Sequence, residues 1–304
     1  MTISGFSFVK NGVKLYFPVV EMIKSVLSIC DEFIIAVGKG EEDDTTRESI
    51  ARIGDPKIKI IDTDWDDYKQ DYHGQIHAIQ TNIALNECSG DWCFYLQADE
   101  VIHEKYLPVI EARCRELLDD KEVEGLLFRY KHFWGDYEHY HGGHGWYSRE
   151  IRIIRNGLNI ESHRSAQSFR KSGEKLKVAN VDAEIYHYGW VRPPHFMQNK
   201  RKAIETNHWG REAAEKKFTG APPEFDYGPL DRLAVFRDSY PAVMKEMIAQ
   251  MNWKDKLQYS GSPDPSRMPH KHERMKYRLL SFIENAFFDG KRLGEYKNYI
   301  LLNR

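Results

Sequence analysis

The chain has 304 residues, of which 41% are hydrophobic and 30% are charged, and its formal net charge is −2. This composition excludes a disordered or collagen-like chain, and no run approaches the roughly 18 apolar residues that a membrane span requires. No secretory signal is visible, and no CxxC pair occurs among the four cysteines, Cys30, Cys88, Cys93 and Cys114. We therefore expect a cytoplasmic protein with reduced thiols and no transmembrane segment, while peripheral contact with a membrane stays open.

Charge is unevenly distributed along the chain. Residues 1–123 contain 13 Lys and Arg against 24 Asp and Glu, whereas residues 124–304 contain 31 against 22. An acidic half joined to a basic half suits an anion bound between them, although solvated surface charge explains the same pattern. Because no compact Lys/Arg run and no nucleic-acid-binding motif is present, we predict that nucleic acid is not a partner.

The first hundred residues alternate short apolar runs with helical patterns. Strands are predicted at 4–9, 32–37, 57–61 and 92–96, and helices around 18–30, 74–87 and 103–120. This alternation is typical of an α/β domain with a largely parallel sheet. Further strands are predicted at 125–133, 150–154 and 182–187, and the pattern is helical from about residue 193 onward. The simplest division is an α/β core over 1–192 and a helical C-terminal extension over 193–304.

One segment, GDWCFYLQADEVIHE (90–104), carries the clearest chemical signal. A strand that is apolar on both faces runs directly into the turn Gln97-Ala98-Asp99-Glu100. Ligands of open α/β sheets bind beyond the carboxyl ends of the strands, and carboxylates there suit a hard divalent cation. A helix N-terminus, where acidic residues offset the macrodipole, explains the same residues. From the residues alone, both interpretations stay open.

A series of motifs in a fixed order resembles the family 2 glycosyltransferases, which have the GT-A fold. The turn at 97–100 resembles their metal-binding turn, usually Asp-Ala-Asp-Glu. Further resemblances lie in FVKNG (8–12), SICDEFIIAVGKGEEDDT (28–45), QTNIAL (80–85), EIRIIRNG (150–157) and IYHYGWVRPP (185–194). The resemblance covers about residues 3–195. It implies a GT-A fold with a mixed, mostly parallel sheet flanked by helices, a nucleotide-binding half over 1–124 and an acceptor half over 125–192.

The resemblance also implies an activity. Such an enzyme moves a sugar, typically a hexosyl group, from a UDP-, GDP- or dTDP-linked donor to a glycan or glycolipid acceptor. The expected reaction inverts the anomeric centre, uses Mg²⁺ or Mn²⁺ and belongs to polysaccharide or related glycoconjugate biosynthesis.

Candidate site residues follow from the matching positions. The donor is expected to contact the residues at three strand exits: Val9, Lys10, Asn11, Gly38, Lys39, Gln97, Ala98 and Asp99. Asp99 and His187 are the expected metal ligands, and Glu100 is expected to cap the following helix. Aromatic residues in a glycine-rich loop suit a sugar ring, so the acceptor is expected at Trp134, Trp146 and Tyr147. The catalytic base is chosen among Glu150, Glu161, Asp182 and Glu184; we select Glu150 because it follows that loop directly.

Three departures from the family pattern keep alternatives open. Gln97 replaces the first Asp of the acidic turn, Gly38 stands where a nucleotide-contacting Asp is usual, and Thr81 replaces a helix Arg. A glycosyltransferase-like nucleotide- or glycan-binding protein that has lost catalysis is therefore the alternative function. A sugar-1-phosphate nucleotidylyltransferase normally has a Gly-rich, Arg-containing loop after the first strand, and FVKNGVK does not supply one.

Overall fold

The structure is a computed structural model that describes residues 1–67, 74–288 and 290–304. Its strands are β1 (Ile3–Val9), β2 (Glu32–Gly38), β3 (Ile58–Thr63), β4 (Trp92–Tyr95), β5 (Glu100–Ile102), β6 (Gly125–Trp134), β7 (His139–His141), β8 (Arg149–Arg155), β9 (Ile160–His163), β10 (Ser168–Lys171), β11 (Glu174–Trp190), β12 (Ala234–Val235) and β13 (Tyr299–Leu301). Its helices are α1 (Val19–Val26), α2 (Thr46–Ala51), α3 (Gln75–Asn86), α4 (Leu107–Glu116), α5 (Pro194–Trp209), α6 (Arg211–Phe218), α7 (Lys245–Ala249) and α8 (Met275–Phe287).

The strands form one mixed sheet in the order β3-β2-β1-β4-β8-β6-β11-β10-β9. The first four strands of this order are parallel, β8 runs antiparallel to both β4 and β6, and β11 is parallel to β6. Because the carboxyl ends of the parallel strands share one edge, the residues after Val9, Gly38 and Tyr95 meet there. The predicted fold class, a mixed α/β sheet flanked by helices, is confirmed.

Helices cover both faces of the parallel strands, which is why these strands read as continuous apolar runs. In β2, Phe33 and Ile35 pack in one cluster with residues of α1 and α4. The intervening Ile34 packs in a second cluster with Ala84 and Leu85 of α3. This period-2 alternation places a hydrophobic layer on each side of the sheet. The strand bounds predicted for this half and those of α3 lie close to the observed ones. Helices α1 and α4 are shorter than the predicted 18–30 and 103–120, and α2 and β5 were not predicted.

The C-terminal region packs against the carboxyl ends of β6 and β11 through a third cluster, rich in aromatic rings. Phe133 and Tyr188 of the sheet stack at 4.8 Å between ring centroids, and Phe225, Tyr227 and Trp253 of the C-terminal region belong to the same cluster. Near its end the chain returns to the sheet, where β13 pairs with β11. The region after residue 192 contains helices, as predicted, while the division into domains stays a prediction. Among the helices of the three described ranges, none has the length and apolarity needed to cross a membrane.

Candidate functional site

A cavity of about 300 Å³ lies at the carboxyl ends of β1 and β4, and we call it the Asp99 cavity. Helix α5 forms its opposite wall. Its lining includes Val9, Lys10, Gln97, Ala98, Asp99, His187 and Lys200. A second cavity of about 710 Å³, the Lys10 cavity, shares Lys10 and Trp65 with the first and adds Asn11 and Lys39. The structure thus brings together, at adjoining cavities, the residues that the sequence assigns to donor binding at three strand exits.

Gly38, the remaining donor candidate, lies beneath Trp65. The indole packs so closely on the Gly38 backbone that a Cβ at this position would clash with the ring. Trp65 lines both cavities, and its buried Nε1 has no hydrogen-bond partner among the described residues. The place at which the family resemblance expects an Asp is therefore covered by an indole, and only glycine permits this approach.

The Asp99 carboxylate is held by an ion pair with a buried lysine. Lys200 Nζ lies 2.9 Å from Asp99 Oδ2 and also donates to the Gly189 carbonyl oxygen at 2.7 Å. Burial alone would raise the pKa of Asp99, but the charge and the hydrogen bond of Lys200 hold it well below its usual range. For Lys200 itself, burial, reinforced by the charge of Arg192, lowers the pKa to about 8.

His187 forms the opposite side of this arrangement. Its Nε2 lies 3.7 Å from Asp99 Oδ1, and its Nδ1 lies 2.9 Å from Nδ1 of His132. The Tyr147 carbonyl can only accept, so His132 Nε2, 2.8 Å away, is the donor in that contact. Burial lowers the pKa of His187 to about 4 and that of His132 to about 3. Both rings are therefore neutral near pH 7, and His187 Nε2 faces Asp99 as an acceptor.

Glu100 does not cap a helix, and that prediction is wrong. Its carboxylate lies in the core, where both oxygens accept from Arg152 at 2.7 Å. It also accepts from the Tyr130 hydroxyl at 2.8 Å and from the Gln97 backbone N–H at 3.0 Å. The neighbouring short 3₁₀ turn is capped by His103 instead. Asp99 lies in the turn before β5 and faces the cavity, whereas Glu100 is the first residue of β5 and faces the core.

The predicted metal ligands do not form a divalent-cation site. Asp99 and His187 do lie together, but the Lys200 ammonium lies within hydrogen-bonding distance of one Asp99 oxygen. The Gln97 side-chain amide donates to the Ala166 carbonyl at 3.0 Å, and Glu100 is engaged by Arg152. Across the described ranges, no group of three or more His, Cys, Asp or Glu side chains is arranged to hold a metal ion. These residues therefore do not fit Mg²⁺ or Mn²⁺, which prefer several oxygen ligands.

Glu150 lies outside the Asp99 cavity, at the wall of another cavity of about 570 Å³ that we call the Glu150 cavity. Its side chain is only 3% exposed; one oxygen accepts from Asn298 Nδ2 at 3.0 Å and the other has no described partner. Burial raises the pKa of Glu150. Four cationic side chains also line this cavity: Arg164, Arg170, Lys271 and Arg292.

The aromatic residues predicted for the acceptor separate into two groups. Trp146 and Tyr147 line the Glu150 cavity. Burial raises the pKa of the Tyr147 phenol, and the charges of Glu100, Glu150 and Asp99 add to this effect. Trp134 instead belongs to the aromatic core, where it stacks on Trp190 at 4.6 Å and donates from Nε1 to the Tyr227 carbonyl. The prediction that Trp134 contacts a sugar is therefore wrong, because its ring is buried.

Some residues of the site were not found by sequence reasoning. Lys200 and Arg192 supply its buried positive charge, while Trp65 and His77 supply its aromatic wall. Lys200 lies in a helix that carries no recognised motif, so no sequence signal marked it. Trp65 had an indirect signal, since a glycine in place of a polar strand-end residue indicates a close approach by a neighbour.

No protein-family model matches the chain, and no curated protein matches it either. Several solved structures, in contrast, are similar to it. TarS of S. aureus is 13% identical at a TM-score of 0.40, with 71% of this chain and 42% of TarS covered. The TarS 1–349 structure in complex with UDP-GlcNAc is 13% identical at a TM-score of 0.39, with 71% and 70% covered.

A glucosyl-3-phosphoglycerate synthase of Mycobacterium tuberculosis, crystallised with Mn²⁺, UDP-glucose and phosphoglyceric acid, is 17% identical at a TM-score of 0.31. The match covers 42% of this chain and 44% of the synthase. The chain thus spans less than half the length of TarS and of the synthase. The mixed, mostly parallel sheet of this chain is the fold that the sequence resemblance implies, and matches at 13–17% identity say nothing of its activity.

Proposed function

We propose that the protein is a glycosyltransferase that binds a nucleotide-diphosphate sugar across the Asp99 and Lys10 cavities. The observation that carries this proposal is a surplus of buried positive charge at the sheet edge. Lys200 and Arg192 are both buried, and Asp99 is the carboxylate that faces them. Burying a charge without a counter-charge is costly, so an anionic ligand is needed to balance the site. A diphosphate supplies that charge.

The surroundings of this charge suit the rest of such a ligand. Lys10 Nζ lies 5.3 Å from the Trp65 ring, and the Phe8 and His77 rings stack at 5.6 Å between centroids. Flat aromatic walls beside a cationic centre are suited to a nucleobase or a sugar next to its phosphates. The two adjoining cavities, about 300 and 710 Å³, give room for both ends of the donor.

For the transfer step, we propose that the acceptor enters the Glu150 cavity. The acceptor oxygen forms a bond to the anomeric carbon, the bond from that carbon to the diphosphate breaks, and its electron pair leaves with the diphosphate. The hydroxyl proton passes to the Glu150 carboxylate, whose raised pKa and unpartnered oxygen suit a general base. Asp99 is a weaker base because its ion pair with Lys200 lowers its pKa. A glycan or glycolipid acceptor and a hexosyl donor follow from the sequence resemblance alone.

The test separates binding from turnover. UDP, GDP and dTDP are titrated by calorimetry, and the matching hexose donors are then assayed for hydrolysis, with water in place of the acceptor. We expect Glu150→Gln to lower hydrolysis by about 10²- to 10⁴-fold while nucleotide affinity is unchanged. Glu161→Gln, an exposed acid on β9, is the matched control and should retain both. Absence of nucleotide binding would refute the proposal.

One observation favours the alternative, a binding protein without catalysis. The indole of Trp65 covers Gly38, where the resemblance expects an Asp that contacts the nucleotide. Nucleotide binding with no hydrolysis of any tested donor, and with no effect of Glu150→Gln on any measured property, would support this alternative.

A further inference from the structure

We infer that Lys200, and not a divalent cation, provides the positive charge that binds the donor's diphosphate and stabilises it as it leaves. This inference rests on the proposed function, and it concerns which cation the site uses. It departs from the sequence resemblance, which implies Mg²⁺ or Mn²⁺ at the acidic turn.

The Lys200 ammonium lies beside Asp99 in the cavity. Lys200 projects from α5 into the Asp99 cavity, where Nζ donates to Asp99 Oδ2 at 2.9 Å and to the Gly189 carbonyl at 2.7 Å. An ammonium has three N–H donors. Among the described residues the third donor has no hydrogen-bond acceptor. The other contact of the ammonium is with the Phe17 ring, whose centroid lies 4.8 Å from Nζ, so this donor stays available for a ligand in the cavity. Lys200 therefore occupies the position beside Asp99 that a metal ion would take, and it retains one donor for a phosphate oxygen.

The acidic turn offers little else to a metal ion. Glu100 is bound on both oxygens by Arg152, at 2.7 Å each. The Gln97 side chain is fixed through Nε2 by the Ala166 carbonyl, and its Oε1 is a neutral oxygen that brings no negative charge to a metal ion. Asp99 is thus the one carboxylate of the turn that reaches the cavity, and it already has a cation beside it. A divalent ion placed next to Lys200 would experience direct repulsion from the ammonium.

Charge balance leads to the same conclusion. Lys10, Lys200 and Arg201 line the Asp99 cavity, and Arg192 lies buried below it. Asp99 is the only carboxylate in that lining as described. The lining therefore holds more cationic than anionic side chains, with Asp64 near Lys10 and Glu205 near Arg201 outside it, and this excess suits a nucleoside diphosphate, whose terminal phosphate is mostly dianionic near pH 7. A bound divalent cation would add to this positive charge. Positioned Lys and Arg side chains stabilise departing phosphates in the same way that a metal ion does.

In the transfer step, Lys200 keeps its proton. The electron pair of the broken bond stays on the diphosphate oxygen, where charge increases, and the ammonium donates a hydrogen bond to that oxygen. The hydroxyl proton of the acceptor goes to a carboxylate, so atoms and charge balance without any further ion.

The experiment is a calorimetric titration of UDP, GDP and dTDP, each in EDTA and again with Mn²⁺. Three variants are compared with the unmutated protein: Lys200→Met, which removes the charge and keeps the apolar stem, Lys200→Arg, which keeps the charge, and Lys216→Met, an exposed control on α6. We expect the unmutated protein to bind a nucleotide equally in EDTA and in Mn²⁺. Lys200→Met should weaken binding by about tenfold to a hundredfold, the effect of losing one hydrogen bond to a charged group.

Lys200→Arg should retain most of the affinity, and Lys216→Met all of it. Circular dichroism and thermal unfolding of each variant show whether the fold is intact, and Lys200→Arg keeps the test valid if Lys200→Met does not fold. Binding that requires Mn²⁺, or an affinity that Lys200→Met leaves unchanged, would overturn the inference and leave the proposed function standing. Binding of no nucleotide under either condition would overturn both.

Discussion

Asp99 and Glu100 are adjacent in the sequence, and each forms an ion pair with a buried cation, yet the two pairs differ in almost every other respect. Glu100 is fully buried and accepts from Arg152 on both oxygens, from Tyr130 and from a backbone N–H. Asp99 forms a single contact with Lys200 at the wall of a cavity, where a second cation, Arg192, also acts on it. One pair is balanced and saturated, and the other has excess positive charge and an unused donor.

The difference indicates two separate roles for the two acids of one turn. A planar guanidinium matches a carboxylate with two parallel hydrogen bonds. In the pair between β5 and β8, neither oxygen of Glu100 is left free to bind a ligand. An ammonium is a compact charge on a flexible stem, and at a cavity wall it can exchange partners. We therefore interpret Glu100–Arg152 as the structural support of the turn and Asp99–Lys200 as the part that meets the ligand.

The largest effect is expected from breaking the saturated pair. Glu100→Gln leaves the Arg152 guanidinium buried without its counter-charge, and removing one partner of a buried pair typically costs about 3–5 kcal/mol. We expect the free energy of unfolding to fall by about that amount in urea denaturation. The control is Glu111→Gln, which breaks an exposed pair with Arg115 on α4 and should cost about 0.3–0.5 kcal/mol. Equal losses in the two variants would contradict the structural role of Glu100.

A smaller loss of stability is expected from the pair at the cavity. Asp99→Asn removes the counter-charge of Lys200, but Lys200 borders a cavity, and burial has already lowered its pKa to about 8. The lysine can therefore lose its proton or turn toward solvent, and we expect a cost of about 1–3 kcal/mol in the same urea measurement. A loss larger than that of Glu100→Gln would mean that both pairs are structural, and the distinction between them would fail.

The comparison also shows which parts of the site the sequence predicts. Strand exits, and with them Lys10 and Asp99, follow from apolar patterns, because parallel strands end at one edge of a sheet. The partners of the two acids do not follow, since Arg152 and Lys200 are 52 and 101 residues away from them and only the folded chain selects them. The misplacement of Trp134 has the same origin. An aromatic residue beside glycines suits both a sugar-binding loop and a packed core, and local sequence does not distinguish the two.

The smallest effect is expected from pH, and it tests whether the charge of Lys200 is used in binding. The ammonium is the binding form, and burial, aided by Arg192 and opposed by Asp99, lowers the pKa of Lys200 from 10.5 to about 8. Its other titratable neighbour, His187, is already neutral, since burial lowers its pKa to about 4. Nucleotide affinity should therefore be constant near pH 7 and fall by about tenfold toward pH 9, as the free protein loses this proton. Calorimetric titration across this range measures the decline.

Two controls assign that decline to Lys200. Lys200→Arg keeps its charge over the whole range, so its affinity should stay constant. Unfolding cannot cause the same decline through Lys200. The pKa of Lys200 is lower in the folded than in the unfolded chain, so the unfolded chain binds more protons between about pH 8 and 10.5. The contribution of Lys200 to the free energy of unfolding therefore rises with pH, while nucleotide affinity falls. Weaker binding without weaker folding would therefore identify loss of the ammonium as its cause. If the affinity of the unmutated protein did not change up to pH 9, the nucleotide would be bound by the other cations of the cavity. The Asp99–Lys200 pair would then have no role in binding, and its contrast with the structural Glu100–Arg152 pair would fail.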